Sequence, residues 1–483
     1  MKVLLINPPG SFNTKELIPP LGLGYIAAVL EKNNIEVEIL DGQVEKLSLK
    51  NLERRCKGSN PDLVGITSLT ESRFESFIVS KIIKKALPNT MVVMGGPHAS
   101  LAAEDTLQNV KNVDIVVRGE GEYTMAELCQ LVDNSRELGT IDGISYRKDG
   151  KIIHNKNREL LQDLDSIPFP AYHLLKMKEY DFKLEVPGKG RLPAMNMITS
   201  RGCPVGCTFC ATSEMLGKKW RARSPLNVVS ELEHLIDKYN IKSIFFYDDT
   251  FTMNRKRTQE ICNLMIDRGL DIKYVCMTRI DSLDRNLLKV MKESGCYRIH
   301  YGVESGSQRI LDTVVEKKIN LAQVKEVSTW MDELGIIKNP FFIASFPDET
   351  LEDVKMTLDF MKEIGGEPSL SFLKVYPGTR IEQIAKEKGI IPENFSWVNT
   401  SRGTVFSIPA IQGNAPIFID RLSWEELSEI AMIWKTMRKD YSLVDRFFSF
   451  MKTARSYQDF LQIFILMKIY IKLKLLQKSF MIK

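Results

Sequence analysis

The chain has 483 residues, of which 44% are hydrophobic and 26% are charged, as in ordinary globular proteins. This composition excludes a wholly disordered or collagen-like chain and leaves apolar material for more than one core. The 66 basic and 61 acidic residues give a net charge of +5, which is too small to indicate nucleic acid as a partner.

The first apolar run, Val3–Ile6, is interrupted by Asn7-Pro8-Pro9 and is too short for a signal peptide. No stretch reaches the roughly 18 uncharged apolar residues that span a bilayer. We therefore expect a cytoplasmic protein, in which the eight cysteines are thiols or metal ligands and not disulfides.

Residues 1–135 alternate short apolar runs with helical patterns. The predicted strands are Val3–Asn7, Val37–Asp41, Leu63–Leu69, Met91–Gly95 and Asp114–Arg118, and the predicted helices are Leu21–Lys32, Leu49–Lys57, Glu71–Ala86, Leu101–Gln108 and Tyr123–Asp133. Apolar strands separated by helices are typical of a parallel sheet covered on both faces. The pattern predicts a doubly wound, Rossmann- or flavodoxin-like domain, which binds ligands beyond the carboxyl ends of its strands.

A hairpin with the turn Asp149-Gly150 is predicted over residues 143–155, and the proline-rich stretch 164–170 reads as an extended linker. A second β/α series follows, with strands predicted at Met195–Thr199, Ser243–Asp248, Tyr274–Arg279, Arg298–Glu304, Phe341–Phe346 and Ser371–Tyr376. The helical patterns of this series lie at 224–238, 254–268, 284–293, 320–334, 350–363 and 380–388. Six such units predict a partial TIM-like (β/α)6 barrel with its active site at the carboxyl ends of the strands.

These patterns divide the chain into four parts. We predict an α/β architecture with a Rossmann-like domain at 1–140, a hairpin and linker at 141–185, a barrel at 186–410 and a helical C-terminal region at 411–483.

Three of the cysteines are grouped: Cys203, Cys207 and Cys210 follow the first barrel strand with the spacing Cys-x3-Cys-x2-Cys. Thiolates suit zinc or an iron–sulfur cluster. Structural zinc needs a fourth ligand at matching spacing, and the sequence offers none nearby. A [4Fe–4S] cluster held by three cysteines keeps one iron open for a substrate or cosubstrate, and this interpretation is favoured. The other five cysteines are isolated and are interpreted as buried hydrophobic side chains.

The Cys-x3-Cys-x2-Cys spacing, with Phe209 before the last cysteine, resembles the signature of the radical S-adenosylmethionine (SAM) family. The segments that resemble the branch with an N-terminal cobalamin-binding domain are 95–99, 119–122, 247–252, 278–281, 301–307 and 376–379. That branch includes cobalamin-dependent radical SAM methyltransferases and the anaerobic magnesium-protoporphyrin monomethyl ester cyclase. The resemblance covers about residues 1–410.

The resemblance implies that the three cysteines hold a [4Fe–4S] cluster whose fourth iron binds SAM. It implies SAM contacts at consecutive strand ends, from Phe209, Tyr247, Asp248, Asp249, Arg279, Glu304, Ser305, Ser345 and Tyr376. Residues 247–249 take the position of amino-group contacts, and residues 304 and 305 that of contacts to ribose or the methionine carboxylate. The implied cobalamin contacts are Thr67, Ser68, Gly95, Gly96, His98, Gly119 and Glu120.

Two departures from the family pattern stand out. The chain has Ser345-Phe346-Pro347-Asp348-Glu349-Thr350 where Gly-x-Pro-Gly-Glu-Thr is usual, so Ser345 replaces a glycine against which adenine lies. The first loop, Asn7-Pro8-Pro9-Gly10-Ser11-Phe12, has no histidine to ligate cobalt. His98 is an alternative ligand, but a histidine that lines the pocket of the nucleotide tail is the preferred interpretation. We expect cobalamin to bind without a histidine from the first loop.

The resemblance implies an enzyme that uses a 5′-deoxyadenosyl radical to activate a substrate carbon and methylcobalamin as methyl donor. A cyclase- or hydroxylase-like radical reaction is the alternative, followed by a tRNA methylthiotransferase and by a non-catalytic cobalamin- or SAM-binding sensor. The expected partners are a small-molecule or lipid-like substrate and an external electron donor such as flavodoxin or ferredoxin. The lysine-rich apolar tail, residues 460–483, is predicted to pack as a helix on the barrel or on a subunit partner, with peripheral membrane contact as the second interpretation.

Overall fold

The N-terminal domain in the computed structural model is a sheet covered by helices on both faces. The structure describes residues 1–10, 17–134, 137–399 and 415–437. The strands of this domain are β1 (Lys2–Asn7), β2 (Glu36–Asp41), β3 (Leu63–Thr67), β4 (Met91–Gly95), β5 (Ile115–Val117), β6 (Ile144–Lys148) and β7 (Lys151–His154). Its helices are α1 (Leu21–Lys32), α2 (Leu49–Ser59), α3 (Arg73–Ala86), α4 (Pro97–Leu101), α5 (Ala103–Asn109) and α6 (Glu122–Asn134).

The strand order of this sheet is β2-β1-β3-β4-β5-β6-β7, in which the first five strands are parallel. The order reverses between β1 and β3, where doubly wound domains bind their ligands. The predicted hairpin forms β6 and β7, but it pairs antiparallel with β5 and extends the sheet. The first sheet therefore includes the hairpin and extends to His154.

The second half of the chain forms a series of β/α units. Its strands are β8 (Lys183–Val186), β9 (Gly190–Met197), β10 (Ser200–Arg201), β11 (Arg221–Ala222), β12 (Ser243–Phe246), β13 (Lys273–Thr278), β14 (Cys296–Glu304), β15 (Ile337–Ala344) and β16 (Ser369–Phe372). Its helices are α7 (Thr212–Leu216), α8 (Pro225–Tyr239), α9 (Arg255–Asp267), α10 (Arg285–Glu293), α11 (Gln308–Ile310), α12 (Leu321–Glu333), α13 (Leu351–Ile364), α14 (Arg380–Glu387) and α15 (Trp424–Met437).

The strand order of the second sheet is β16-β15-β14-β13-β12-β9-β8. The six strands β9 and β12–β16 are parallel, and β8 closes one edge as an antiparallel hairpin with β9. The sheet is curved, because the Phe245 and His300 rings lie 5.2 Å apart across the intervening strand β13. This architecture confirms the predicted Rossmann-like domain and partial (β/α)6 barrel.

Local sequence signals account for the element boundaries. Helix α13 begins at a capping box, in which the Thr350 side chain accepts from the Asp353 amide and the Asp353 carboxylate accepts from the Thr350 amide. The Ser224 side chain caps α8, whose first residue is Pro225. Such caps place the helix starts within a residue or two of the predicted positions.

The two domains share a continuous apolar core, to which helix α1 of the first domain contributes. A Cβ atom on Gly24 would lie 2.9 Å from the Pro170 side chain, so α1 packs directly on the linker. Among the described residues, none of the helices is long and apolar enough to span a membrane. The predicted tail helix, residues 460–483, lies outside the described residues.

Candidate functional site

The cysteine loop, residues 203–210, lies between the paired strands β10 and β11. Its three cysteines are half-buried and free. The leg that leads into the loop is held by Asp248, whose carboxylate accepts from the Thr199 amide at 3.1 Å, from the Thr199 hydroxyl at 2.8 Å and from the Ser200 hydroxyl. Asp248 is fully buried, so its carboxylate anchors the start of the loop.

The backbone of the cysteine loop is shaped by Gly202, which has φ +85°. A Cβ atom at this position would lie 2.5 Å from the Lys219 carbonyl oxygen, so only glycine fits. Farther along the loop, the Thr208 hydroxyl donates to the Val314 carbonyl at 2.8 Å. The Phe209 ring packs edge-on against the Phe346 ring at 5.9 Å, which joins the loop to the end of β15.

The three thiols of the cysteine loop are ligands of the type that iron–sulfur clusters use. Within the described part of the chain, no three His, Cys, Asp or Glu side chains are close enough to hold one metal ion. In a cubane cluster, each thiolate binds a different iron. Burial raises the pKa of Cys207 to about 12 and also raises that of Cys210. Binding of a metal centre therefore releases protons from these thiols.

A buried ion pair lies beside the cysteine loop. The Lys317 ammonium donates to Glu304 Oε1 at 2.6 Å and to the Gly302 carbonyl at 2.9 Å. A Cβ atom on Gly302 would come within 2.0 Å of Glu304 Oε1, so the glycine makes room for the pair. Glu304 has φ +74°, and such strain is typical of residues held in place for function.

Arg279 and Ser305 are held by neighbouring groups. The Arg279 guanidinium donates to both carboxylate oxygens of Asp281, at 3.0 and 2.6 Å, and to the Lys317 carbonyl at 3.2 Å. The Ser305 hydroxyl lies 3.2 Å from the Thr357 hydroxyl and is fully buried. Arg279 therefore supports the position of Lys317, whereas Ser305 contacts helix α13.

At the end of β12, Tyr247 and Asp249 are exposed on either side of the buried Asp248. The Thr212 hydroxyl donates to Asp249 at 3.2 Å, which connects this carboxylate to the helix that follows Cys210. Although the Asp249 side chain reaches solvent, the protein atoms around it partly desolvate the carboxylate and raise its pKa to about 6. An accessible carboxylate at this position can accept from an ammonium group.

The loop after β15 keeps a left-handed backbone without glycine. Ser345 has φ +75° and Asp348 has φ +58°, the two positions at which the family pattern has glycine. The Ser345 hydroxyl donates to the Phe418 carbonyl, and the amides of Ser345 and Phe346 donate to Glu349. Burial of Glu349 raises its pKa to about 8.

The carboxyl ends of β3 and β4 form a tight corner in the N-terminal domain. Gly96 has φ +90°, and a Cβ atom there would lie 2.9 Å from the Ser68 carbonyl oxygen and 3.0 Å from the Thr67 hydroxyl. Gly95 is half-buried, and a Cβ atom there would meet nothing nearer than 3.8 Å. The Ser68 hydroxyl oxygen is buried without a hydrogen-bond partner among the described residues. An unsatisfied hydroxyl beside an open backbone suits a polar cofactor.

The His98 ring lies among aromatic side chains, and its Nε2 is buried without a hydrogen-bond partner among the described residues. Its Nδ1 lies 3.2 Å from the Thr70 hydroxyl, and its ring packs near Phe77 and Trp397, with centroids 6.1 and 6.0 Å away. The side chain is fully buried, and burial lowers its pKa to about 3. The neutral ring therefore acts as a packing group between the N-terminal domain and the segment after β16.

The loop after β5 contacts the barrel. The Gly119 amide donates to the Ser100 hydroxyl at 3.0 Å, while the Glu120 carboxylate accepts from Arg201 at 2.9 Å and from Arg221 at 2.8 Å. On the opposite side of the barrel, the Tyr376 hydroxyl donates to Glu71 at 3.3 Å.

Three residues of the site were not predicted from the sequence: Lys317, Arg201 and Arg221. Lys317 lies in Glu316-Lys317-Lys318, which has the composition of a solvated surface turn. The positive φ angles of Glu316 and Lys318 turn the backbone so that the lysine between them is buried. The sequence offers no signal for this turn.

Comparison with known proteins agrees with this geometry. The profile of the radical SAM superfamily matches residues 197–361, and that of the B12 binding domain matches residues 12–129. An uncharacterized methyltransferase of Pyrococcus horikoshii is 38% identical over 80% of this chain and 83% of its own. The cytidylyl-2-hydroxyethylphosphonate methyltransferase of Streptomyces wedmorensis is 30% identical over 85% of this chain and 86% of its own.

A solved structure shares the fold. The cobalamin-dependent SAM radical enzyme OxsB, with aqua-cobalamin and SAM bound, superposes with a TM-score of 0.74 at 20% identity. The match covers 97% of this chain and 71% of that chain.

Proposed function

Because the chain belongs to the radical SAM enzymes that carry an N-terminal B12-binding domain, we propose that it is a methyltransferase acting on a small-molecule or lipid-like substrate. The observation that carries this proposal is the contact between the two cofactor-binding parts. Arg201, two residues before Cys203, pairs with Glu120 of the B12-binding domain at 2.9 Å. A methyl carrier bound at the strand ends of that domain would face the cysteine loop.

The cofactors of the chain are a [4Fe–4S] cluster, SAM and cobalamin. When bound, they supply an electron, a 5′-deoxyadenosyl radical and a methyl group. Cys203, Cys207 and Cys210 would hold the cluster. The protein around them orients the reactants and excludes water from the radical.

For SAM, the barrel offers charges of both signs. Asp249 would accept from the amino group of SAM, and Lys317, already 2.6 Å from Glu304, would donate to its carboxylate. The left-handed backbone at Ser345 would line the adenine side. Arg279 would hold the Lys317 turn in position, because it donates to the Lys317 carbonyl.

For cobalamin, Thr67, Ser68, Gly95 and Gly96 would line the binding corner. We expect no imidazole on cobalt, because the first loop has no histidine and the His98 ring is fully buried and packs near Trp397. An external donor such as flavodoxin or ferredoxin would supply electrons to the half-buried cysteine loop. Membrane contact through residues 460–483 stays a prediction.

The test combines a product search with stoichiometry. Anaerobically reconstituted protein is incubated with reductant, trideuteromethyl-labelled SAM and a small-molecule extract, and products are identified by untargeted mass spectrometry. A methyltransferase of this type uses one SAM for the radical and one for the methyl group. We therefore expect a labelled product, with 5′-deoxyadenosine and S-adenosylhomocysteine formed in equal amounts.

The control is the triple variant Cys203→Ala, Cys207→Ala, Cys210→Ala, which should lose the labelled product and 5′-deoxyadenosine together. Consumption of a substrate with 5′-deoxyadenosine but no S-adenosylhomocysteine would replace the proposal by a cyclase- or hydroxylase-like reaction.

A further inference from the structure

Four charged side chains, of which three are buried and Arg201 is 11% exposed, connect the B12-binding domain to the cysteine loop. We call Glu120, Glu122, Arg201 and Arg221 the charge cluster. Arg201 donates to Glu120 Oε1 at 2.9 Å and to Glu122 Oε1 at 2.6 Å. Arg221 donates to both oxygens of Glu120, at 2.9 and 2.8 Å. Glu120, Glu122 and Arg221 are each at least 92% buried. Solvent therefore screens these contacts little.

The charge cluster joins three segments of the chain. Arg201 lies on β10 and Arg221 on β11, the two legs of the cysteine loop. The Leu161 amide of the linker donates to Glu120 Oε2 at 2.8 Å, and Arg221 donates to the Leu161 carbonyl at 2.7 Å. If the loop after β5 shifts, both legs of the cysteine loop therefore shift with it.

The partners of Glu120 exclude a simple role in cofactor binding. Its two carboxylate oxygens accept from the Leu161 amide and from two guanidinium groups, so little acceptor capacity is left for cobalamin. A role of the charge cluster in stabilising the fold is also not favoured, because a buried ion pair is often no more stabilising than apolar side chains of similar volume. Arg201 does constrain direction as well as distance, because two different nitrogens of its guanidinium donate to two different carboxylates.

Building on the proposed function, we propose that the charge cluster sets the distance and orientation between cobalt and the iron–sulfur cluster. Glu122 and Arg201 are then positioning residues for methyl transfer. They act through the loop after β5 on one side and through the first leg of the cysteine loop on the other. When the contact is weakened, the two cofactors still bind, but their relative position becomes less well defined.

The test measures that position without a substrate. Full-length protein is loaded with cluster and cobalamin and reduced to the paramagnetic cluster and cob(II)alamin. Pulsed electron paramagnetic resonance then reports their dipolar coupling. We expect one narrow distance distribution for the wild type, and a broadened or shifted one for Glu122→Gln and for Arg201→Met. The double variant should match Arg201→Met alone, because Glu122 acts through Arg201.

Two further variants serve as controls. Asp353→Asn neutralises a buried carboxylate that pairs with Arg309 inside the barrel, and it should keep the wild-type distribution. Arg201→Lys keeps the positive charge but loses the guanidinium that reaches both glutamates. Its distance distribution should be broader than that of the wild type and narrower than that of Arg201→Met. It also serves as the test variant if Arg201→Met fails to fold.

The outcomes separate this inference from the proposed function. An unchanged distribution in Glu122→Gln and Arg201→Lys, or loss of cobalamin from Glu122→Gln, would overturn the positioning role whatever reaction the enzyme performs. If the wild type forms no S-adenosylhomocysteine while its substrate is consumed, the methyltransferase proposal fails, but the dipolar measurement still decides the role of the charge cluster. If both proposals hold, Glu122→Gln should yield severalfold less S-adenosylhomocysteine per 5′-deoxyadenosine than the wild type.

Discussion

The charged residues nearest the cysteine loop are paired with each other before any ligand arrives. Lys317 is 6% exposed and pairs with Glu304, also 6% exposed, so neither charge is left alone in the barrel. Removing one partner of such a pair typically costs about 3–5 kcal/mol, because the other charge stays buried. This pairing makes Lys317 the residue whose loss we expect to affect SAM binding most.

Lys317→Met should weaken SAM binding by at least about tenfold, since it removes the ammonium group and leaves Glu304 unpaired. Isothermal titration of SAM into cluster-loaded protein measures the change. The matched control is Lys318→Met, because Lys318 is the exposed neighbour on the same turn. Equal SAM affinity in Lys317→Met and Lys318→Met would contradict a role for Lys317.

Glu349 gives the structure a dependence on pH. Burial raises its pKa from 4.5 to about 8, so the folded protein keeps a proton that the unfolded chain has lost. Because the folded state then binds more protons, stability falls as pH rises between those two values, by up to about 1.4 kcal/mol per pH unit. Glu349→Gln should remove this dependence, so thermal melts of the two proteins should diverge progressively from about pH 5 to about pH 8. A difference in melting temperature between the two proteins that stays constant from about pH 5 to about pH 8 would contradict the raised pKa of Glu349.

At the scale of elements, the periodic patterns predicted the order of the β/α units well. Helix α1 has the predicted bounds, Leu21–Lys32, because its apolar period and the preceding prolines define both ends. The pairing of the hairpin with β5 was not predicted, since a local turn signal carries no information about which strand lies alongside. For the same reason, the contacts of Glu120 could not be predicted, because its partners Arg201 and Arg221 lie 81 and 101 residues away in the sequence.

The conformation of the cysteine loop depends on the backbone of a single residue, Gly202. At Gly202, φ is +85° and a Cβ atom would lie 2.5 Å from a carbonyl oxygen. Gly202→Ala should therefore displace the loop and abolish iron binding, measured as iron per chain after reconstitution. Gly269 also has a positive φ, but open space surrounds it. Gly269→Ala should cost about 1–2 kcal/mol for the left-handed backbone alone and keep the cluster. Full iron content in Gly202→Ala would show that the loop tolerates the side chain.

At the scale of the whole molecule, the N-terminal domain contacts the barrel near both ends of its series of strands. One contact is the charge cluster beside β10 and β11. The other lies after β16, where Lys374 pairs with Glu71 at 2.6 Å and the Arg73 guanidinium donates to the Trp397 carbonyl at 2.8 Å. Together with the shared apolar core, these two separated contacts fix the orientation of the N-terminal domain on the barrel.

The second contact can be weakened without touching the first. Asp105 on α5 accepts from the Ser396 hydroxyl at 2.7 Å and from the amides of Trp397 and Val398 at 2.8 and 3.2 Å. Hydrogen bonds to a charged group contribute about 2 kcal/mol, and a local loss of that size corresponds to roughly thirtyfold faster opening. Asp105→Ala should therefore speed hydrogen exchange of the Trp397 amide by about that factor.

Amides of the cysteine loop should keep their exchange rates in Asp105→Ala, because the charge cluster holds that loop independently. Glu104→Ala, which changes the exposed neighbour of Asp105 on α5, is the matched control and should leave both regions unchanged. If exchange in residues 202–210 also rose in Asp105→Ala, the two contacts would be coupled. The N-terminal domain would then move on the barrel as one rigid body, instead of loosening at one end.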